Sequence, residues 1–573
     1  MGAPRRFRKP EGVLVPSLQE VVMSLPFRAR YSWLILFSLW ALVACGAPEA
    51  DPEPEAGVGQ EGAPAHDHGG SGEVQGVGSV SFPVSCSAEA QPLFEVAVAT
   101  LHSFWFEEAY AAFQEVAEAD PECAMAHWGV AMTLWGNPMT RAAPPESRVT
   151  EALEAVEQAR ALAEGATERE RMYIEAVAAL YEDHETVGHM ERMRAHEEAM
   201  REVMETHPDD AEAAIFYGRI AVGNAPPDDL TYSRQLHAAE IMEPLFQELP
   251  DHPGLAHYLI HAYDAPPIAE EGIEAALRYA DIAPDAPHAL HMPTHIFTRM
   301  GYWEESIELN ARSAQAEPDP DAAVHPMDYM VYAYLQLGRD GDAADIVERA
   351  RDIPHEFYGG LIGYNFAAMK ARYALEREDW GEAVGLELPV DAPPYVEAVT
   401  RFARALGSAR SGSPDAGRSE LQAMDGLRDE LTAVGDEYWA TVVEAQRLAA
   451  EAWVTLAEGD EAGAVRLAQE GADLEGTVEK HPVTPGPLLP AMELLGDLLL
   501  ELDRPQEALQ AYEATLETER NRRRALFGAA QAAERAGDQE AADRHYADLL
   551  TLLEGADPDR PELQAAQGRE ARE

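Results

Sequence analysis

Three histidines share one face of the short stretch APHALHMPTHIFTRMG, residues 286–301. His288, His291 and His295 stand three and four residues apart, the spacing that aligns side chains on one side of an α-helix. Imidazole is a common protein ligand for transition metals, and the neutral nitrogens of several rings can converge on one ion. The stretch therefore predicts a ligand-binding face, provided that neighbouring helices carry matching side chains.

Two neighbouring stretches do carry matching side chains. PGLAHYLIHAYD (253–264) aligns with PHALHMPTHIFT (287–298) at an offset of 34 residues, and VHPMDYMVYAYL (324–335) follows at an offset of 37. Three columns result: Gly254, His288 and His325; His257, His291 and Asp328; His261, His295 and Tyr332. Six of these nine places are histidine in a chain that holds 19 histidines among 573 residues, so the enrichment is local.

This histidine ladder predicts a site for one or two divalent transition ions, with zinc or copper as the metal. The expected ligands are His257, His261, Asp264, His288, His291, His295 and His325. Asp328 and Tyr332 would flank the ions or contact another bound ligand. Two alternatives stay open: a ladder that binds a peptide or an anion, and a polar seam in which the histidines bond one another and backbone carbonyls.

Binding is favoured over catalysis by the motifs that the sequence lacks. A catalytic zinc needs an open coordination position and a nearby general base. The sequence contains neither an HExxH motif nor a GxSxG nucleophile elbow, and it marks no particular carboxylate as a base. A metal-dependent hydrolase on the same scaffold is one alternative, and a metal-free scaffold for protein–protein interaction is another.

The elements that must position this ladder are helices. From residue 91 onward, alanine-rich amphipathic runs are broken by Asp-Pro, Glu-Pro or Gly-Asp, and Pro250, Pro284 and Pro318 lie 34 residues apart. GYWEESIELNARSAQAEP (301–318) and DRPQEALQAYEATLE (503–517) resemble the tetratricopeptide repeat. The resemblance implies an all-α fold, a right-handed α-solenoid of stacked helix-turn-helix repeats whose first helices line a concave face.

Two longer blocks carry a second resemblance. LHSFWFEEAYAAFQEVAEADPECAMAHWGVAM (101–132) and a block over 257–301 that includes HYLIHAYD are similar to a group of exported bacterial tetratricopeptide-repeat proteins. This resemblance implies the fold and an exported location, and it implies no chemistry.

The amino-terminal region predicts export and a lipid anchor. Arg28 and Arg30 precede the apolar run YSWLILFSLWALVA, which is short for a membrane span and suits a signal peptide. LVAC followed by Gly resembles a bacterial lipobox, which implies lipidation of Cys45, and we expect translation to start at Met23. An uncleaved membrane anchor is the alternative. The predicted location is the periplasmic face or the outer membrane of a Gram-negative-type bacterium, with the membrane contacted through the lipid.

Composition and periodicity divide the chain into six segments. They are a leader (1–45), a flexible acidic Pro/Gly linker (46–85), N-terminal hairpins (86–250), central repeats with the histidine ladder (251–353), C-terminal repeats (354–553) and a disordered tail (554–573). Within the C-terminal repeats, HPVTPGPLLPA (481–491) is Pro-rich and predicts a stiff connection.

The net charge and the cysteine content restrict which binding partners and which cellular compartment we expect. The 103 acidic residues outnumber the 43 Lys and Arg residues, for a formal charge of −60, which would repel a phosphate backbone. We therefore expect a periplasmic protein or peptide as partner and no nucleic acid. In an oxidising compartment Cys86 and Cys123 predict a disulfide, and two buried free thiols are the alternative.

Overall fold

Alanine-rich amphipathic segments form the helices that the sequence predicts. The computed structural model describes residues 76–353 and 360–570. The N-terminal helices are α1 (Ala90–His102), α2 (Phe106–Ala119), α3 (Ala124–Trp135), α4 (Glu146–Leu162), α5 (Glu168–Ala178), α6 (His189–Thr206), α7 (Ala211–Gly223) and α8 (Ser233–Glu248). The central helices are α9 (Pro253–Tyr263), α10 (Ile273–Ile282), α11 (Pro287–His291), α12 (Pro293–Met300), α13 (Trp303–Ala316), α14 (Val324–Gln336) and α15 (Asp340–Arg351).

The remaining helices continue the same pattern to the carboxyl end. They are α16 (Gly360–Glu376), α17 (Trp380–Gly385), α18 (Pro394–Arg410), α19 (Pro414–Ala433), α20 (Glu437–Ala457), α21 (Glu461–Glu475), α22 (Ala491–Glu501), α23 (Pro505–Thr518), α24 (Arg523–Ala536), α25 (Gln539–Leu552) and α26 (Pro561–Glu570). Short 3-10 turns cover Pro138–Thr140 and Ala269–Gly272. The described residues contain no β-strand.

Helical hairpins stack one on the next, because each amphipathic helix packs on those before and after it in sequence. The described residues belong to one unit, Gly70–Glu573. The predicted all-α solenoid of helix-turn-helix repeats is confirmed.

The C-terminal repeats also contact the central ones directly. Gly301 ends α12 at φ +69°, and a Cβ on it would lie 2.5 Å from the carbonyl oxygen of Arg520. These two segments of the backbone can approach so closely only because residue 301 is glycine. The buried Arg522 guanidinium donates to the hydroxyl of Tyr332 in α14 at 3.2 Å, and Trp303 Nε1 of α13 donates to the carbonyl oxygen of Asn521 at 3.1 Å. These contacts place residues far apart in sequence over the helices of the histidine ladder.

The packed part of the chain begins before the predicted boundary. Phe82 is fully buried, with its ring 5.1 Å from that of Tyr173 and 5.5 Å from that of Phe94. The assignment of residues 76–85 to a flexible linker is therefore wrong. The composition of 46–85 as a whole concealed the few apolar residues in VGSVSFPV, which are enough to anchor this segment.

The carboxyl end differs from the prediction in the same way. Helix α26 lies inside the predicted tail 554–573 and packs on α25, and Arg560 pairs with Asp340 at 3.0 Å. Disorder is therefore the wrong prediction for the described part of this segment. A short amphipathic helix can be held by its partner helix even when its own periodicity is weak.

The disulfide prediction is confirmed. Cys86 and Cys123 are bonded, with their Cα atoms 4.8 Å apart. The bond joins the segment before α1 to the turn between α2 and α3.

The predicted leader, the predicted lipidation site Cys45 and most of the predicted linker lie outside the described residues. Within the described helices, none combines the length and the hydrophobicity that crossing a membrane requires.

Candidate metal centre

The six histidines of the ladder form two groups of three. Triad A consists of His257, His261 and His288, and triad B consists of His291, His295 and His325. Within each triad, one nitrogen from each ring lies within 4.8 Å of the other two. The structure therefore brings together every histidine that the columns predicted.

The two triads are copies of one arrangement. Each takes an i, i+4 pair from one repeat and one histidine from the next repeat. Ring centroids within triad A are 4.9, 4.9 and 6.5 Å apart, and those within triad B are 4.9, 4.4 and 6.4 Å apart. The same arrangement of three histidines therefore occurs twice, in successive repeats.

Proline 293 lies within this arrangement, between His291 and His295. It separates α11 from α12, because proline cannot donate the backbone hydrogen bond that would join them. The backbone amide of His295 bonds instead to the carbonyl of Met292 at 3.1 Å. The helix is broken at this point, and the two imidazoles still face each other across the break.

The protons of triad B lie on the outer side of the rings. His291 Nδ1 donates to Asn310 Oδ1 at 2.7 Å, and Asn310 must present its oxygen there because its amide group donates to Ser306 O at 2.8 Å. His295 Nδ1 donates to Asp264 Oδ2 at 2.8 Å. Both rings, when neutral, therefore carry lone pairs on Nε2.

Those two lone pairs point at each other. His291 Nε2 and His295 Nε2 are 3.0 Å apart, with no proton available between two neutral rings of this tautomer. Nitrogen ligands of a tetrahedral ion lie about 3.3 Å apart when metal–nitrogen distances are about 2.0–2.1 Å. Among the described residues, the third member of the triad has a buried nitrogen, His325 Nδ1, without a hydrogen-bond partner.

Triad A shows a similar arrangement. His257 Nδ1 donates to the carbonyl oxygen of His102 at 2.6 Å, which leaves the lone pair on Nε2. That atom lies 3.1 Å from His288 Nε2. His261 Nε2 is buried and has no partner in the described part of the chain. In triad A a proton on His288 Nε2 would be compatible with the contact, so triad B is the more diagnostic of the two.

All six imidazoles are held in the neutral form that binds metals. Burial is the first cause, because it disfavours the imidazolium ion. It lowers the pKa of His261 to about 3, and the pKa of each of the other five lies below the usual value. Metal binding would not have to displace protons from these rings at neutral pH.

Asp264 occupies a different place from the one predicted. Its carboxylate bonds to His295 Nδ1, to Arg299 Nε at 2.9 Å and to Lys480 Nζ at 3.1 Å. Burial alone would raise the pKa of Asp264, but the two cations outweigh burial and hold it well below the usual value. The carboxylate therefore orients His295 from behind, as acceptors commonly do for metal-binding imidazoles.

The two predicted flanking residues lie in separate polar networks. Asp328 accepts from Asn365 Nδ2 at 3.0 Å and lies 3.3 Å from Arg372 Nε. The Tyr332 hydroxyl contacts Arg522 Nη1 at 3.2 Å. Both side chains are buried, and neither belongs to a triad.

One aromatic ring covers each triad. The Phe104 ring lies 4.3, 6.2 and 5.4 Å from the three rings of triad A, and the Tyr329 ring lies 4.8, 5.2 and 5.3 Å from those of triad B. Phe104 adopts φ +51°, a left-handed conformation that is costly for a bulky residue. The strained backbone at the end of α1 places this ring over the imidazoles.

A segment from the C-terminal repeats packs beside the site. We call residues 479–487 the covering segment. Arg299 Nη2 donates to Glu479 Oε1 at 2.6 Å, Asn365 Nδ2 donates to Val483 O at 2.8 Å, and Arg372 Nη1 donates to Pro487 O at 2.9 Å. The Pro-rich connection predicted at 481–491 thus lies against the stripe that was expected to face an external ligand.

A third cluster of titratable groups lies beside triad A. His102 Nε2 donates to Glu212 Oε2 at 2.9 Å, and His252 Nε2 donates to Glu212 Oε1 at 2.8 Å. The Tyr258 hydroxyl donates to His102 Nδ1 at 2.9 Å, and the Leu255 amide donates to His252 Nδ1 at 3.4 Å. All four ring nitrogens have a partner of the right kind, so this cluster is a hydrogen-bonded part of the core.

Several residues of the site were not predicted from the sequence. Asn310 comes from the second helix of a repeat, Phe104 from the turn after α1, and Lys480 from a remote connection. Only Lys480 carried a usable signal, since the chain has three lysines and this one adjoins a histidine. A Cβ at Gly254 would lie 2.6 Å from His102 Nδ1, so glycine in the first column is what lets α1 approach α9.

Comparison with known proteins adds little to these observations. No family model matches the chain, and no curated protein sequence matches it. A solved structure, a monomeric mutant of IFIT1 with Gppp-AAAA, is similar at 12% identity and a TM-score of 0.35, over 82% of this chain and 91% of that chain. A likeness of that degree carries no functional argument.

Proposed function

We propose that this protein binds two transition-metal ions, one in each trihistidine triad, and holds them inside a helical-repeat scaffold. The contact that carries the proposal is the one between His291 Nε2 and His295 Nε2, 3.0 Å apart with both protons on the far side of the rings. Two facing lone pairs repel each other in a dry interior, and a shared cation turns that repulsion into coordination. Zinc and copper are the ions that suit such imidazole sites.

The surroundings support holding an ion rather than acting on a large substrate. The covering segment lies over the stripe, and the aromatic rings of Phe104 and Tyr329 lie against the imidazoles. A metal-dependent hydrolase, or a peptide bound along the same stripe, would need room beside the ions, and this segment and the two rings occupy part of that room.

The proposal includes the predicted location. The bond between Cys86 and Cys123 is of a kind that persists in oxidising compartments, which supports export. We propose lipidation of Cys45 on the lipobox resemblance, and mass spectrometry of the amino-terminal peptide from the native host would test it. An unmodified cysteine there would contradict the anchor.

The metal content of untagged protein tests the main proposal. We expect two ions per chain in the wild type, one in His261→Gln, one in His325→Gln and none in the double variant. These two residues are chosen because each has a buried nitrogen that lacks a protein partner in the part of the chain described. The exposed His237 supplies the matched control, and His237→Ala should keep both ions. Equal metal content in the wild type and the double variant would contradict the proposal.

A further inference from the structure

The two triads lie close enough to act on one ligand. The rings of His261 and His295 are 6.0 Å apart, and those of His288 and His291 are 6.2 Å apart. These distances between triads are shorter than the widest ring distances within them, 6.5 and 6.4 Å. Ions held at the two triads would therefore be neighbours, and we call the region between the two triads the hollow. Paired ions in proteins are commonly about 3.5–4 Å apart when they share a ligand.

The charge balance of the hollow restricts which ions it can hold. All six ligands are neutral imidazoles. The nearby carboxylates are already compensated, since Asp264 pairs with Arg299 and Lys480, and Arg299 also pairs with Glu479. No spare negative charge lies in direct contact with the triads among the residues that the structure describes. Buried charge without compensation is costly, so two monovalent ions are favoured over two divalent ones.

Copper is the imidazole-binding transition metal with a stable monovalent form. A three-nitrogen site leaves one further position on a four-coordinate ion. In this arrangement the two remaining positions can face the same hollow, where the rings of Phe104 and Tyr329 lie against the imidazoles and His261, His288 and His325 are half-buried. A ligand of one or two atoms fits that description better than a large substrate does.

We propose that the two triads form one dicopper centre that, with both ions as Cu(I), binds one molecule of dioxygen between them. This inference rests on the proposed function and names its metal and ligand. Each Cu(I) gives up one electron and becomes Cu(II), while dioxygen gains both electrons and reaches the peroxide level. No proton is needed for this step. The charge is the same before and after, because two new positive charges on copper are balanced by two negative charges on the bound oxygen.

The constancy of charge is what suits this reaction to a buried site. A single Cu(I) can give dioxygen only one electron, and reduction to the peroxide level takes one electron from each of two ions. The step is therefore complete only when both triads are filled. The centre should therefore react with dioxygen as a unit, and a chain with a single ion should not.

Anaerobic loading of full-length protein with Cu(I), followed by addition of dioxygen, tests the inference. We expect two coppers per chain, measured by competition with a chromogenic Cu(I) chelator, and uptake of one dioxygen per two coppers at an oxygen electrode. The single variants His261→Gln and His325→Gln should bind one copper and take up dioxygen at least tenfold more slowly. His237→Ala should behave as the wild type. Two bound coppers without uptake of dioxygen would overturn the inference and leave the proposed function intact, whereas absence of any bound metal would overturn both.

The wild type supplies a second measurement that does not depend on a variant. When copper is added in steps, uptake of dioxygen should follow the fraction of chains that hold two ions. The oxidised pair should give a weak or absent electron paramagnetic resonance signal, because the two Cu(II) spins couple. Uptake proportional to total copper from the first addition, with a full mononuclear Cu(II) signal, would overturn the inference.

Discussion

Two histidine clusters of this protein differ in where their protons are. In the cluster of His102, Glu212 and His252, a carboxylate receives an N–H from each ring. In triad B, the N–H groups of His291 and His295 point outward, and the bare nitrogens meet at 3.0 Å. The comparison teaches that the number of imidazoles does not distinguish core from metal site. The position of the acceptors behind the rings does.

The largest effect should come from removing the central acceptor of the hydrogen-bonded cluster. Glu212 is buried between two imidazoles, and hydrogen bonds to a buried charge contribute about 1.5–3 kcal/mol each. Glu212→Gln should lower the free energy of unfolding by about 3 kcal/mol while leaving the metal content unchanged. Chemical denaturation and elemental analysis of the same samples would check both statements. A loss of metal without a loss of stability would reverse the assignment of the two clusters.

The triads should respond in the opposite way. His261→Gln with His325→Gln should change the stability of metal-free protein little, since the two buried nitrogens lack partners among the described residues. Zinc at about ten times its dissociation constant should stabilise the wild type by about 1.4 kcal/mol per site, and the double variant by nothing measurable. Thermal unfolding with and without zinc would show this difference. An equal shift in both proteins would contradict the assignment.

A smaller effect should follow from weakening an acceptor behind a triad ring. Asp264→Asn keeps the shape of the side chain and removes the charge that accepts from His295 Nδ1. Loss of such an outer partner lowers metal affinity about 10–100-fold. Titration against a competing chelator would measure the change, with His237→Ala as the control. Unchanged affinity would show that this carboxylate serves only Arg299 and Lys480.

The smallest effect is a contribution to the pH dependence of stability. Burial lowers the pKa of His102 to about 4, so the unfolded chain takes up this proton first as pH falls. The contribution of His102 is therefore fully present above about pH 6.5 and decreases down to about pH 4, at no more than about 1.4 kcal/mol per pH unit. The pKa of Glu212 is about 2, since burial would raise it but His252 and His102 outweigh burial. Its contribution is lost only at still lower pH.

His102→Gln tests the first of those two windows. In metal-free protein, the unfolding free energy should change less steeply with pH in the variant between pH 6.5 and 4. The difference in slope should be at most about 1.4 kcal/mol per pH unit, which corresponds to one proton. The triad histidines are unaltered and supply the remaining slope. Identical slopes would mean that His102 titrates normally in the folded protein.

The fold could be predicted because repeats are encoded locally. Period, turn residues and apolar faces recur every 34 residues, and each repeat then has only its neighbours to pack on. The wrong predictions of disorder concern the two ends of the packed region. There Phe82 packs on Tyr173 and Arg560 pairs with Asp340, both of which belong to other segments. Average composition does not show such single anchoring contacts.

The sequence alone determined the identity of the six histidines, because a fixed spacing on stacked helices leaves few places for their side chains. Only the tertiary structure decided how they divide into two triads, which ring nitrogens carry protons, and which of the six rings are buried and which half-buried. The acceptors Asn310 and Asp264 and the covering segment come from other elements, and helical periodicity carries no information about what packs behind or above a ring. A proton's position depends on those neighbours, so the chemistry of the site emerges only once the chain has folded back on itself.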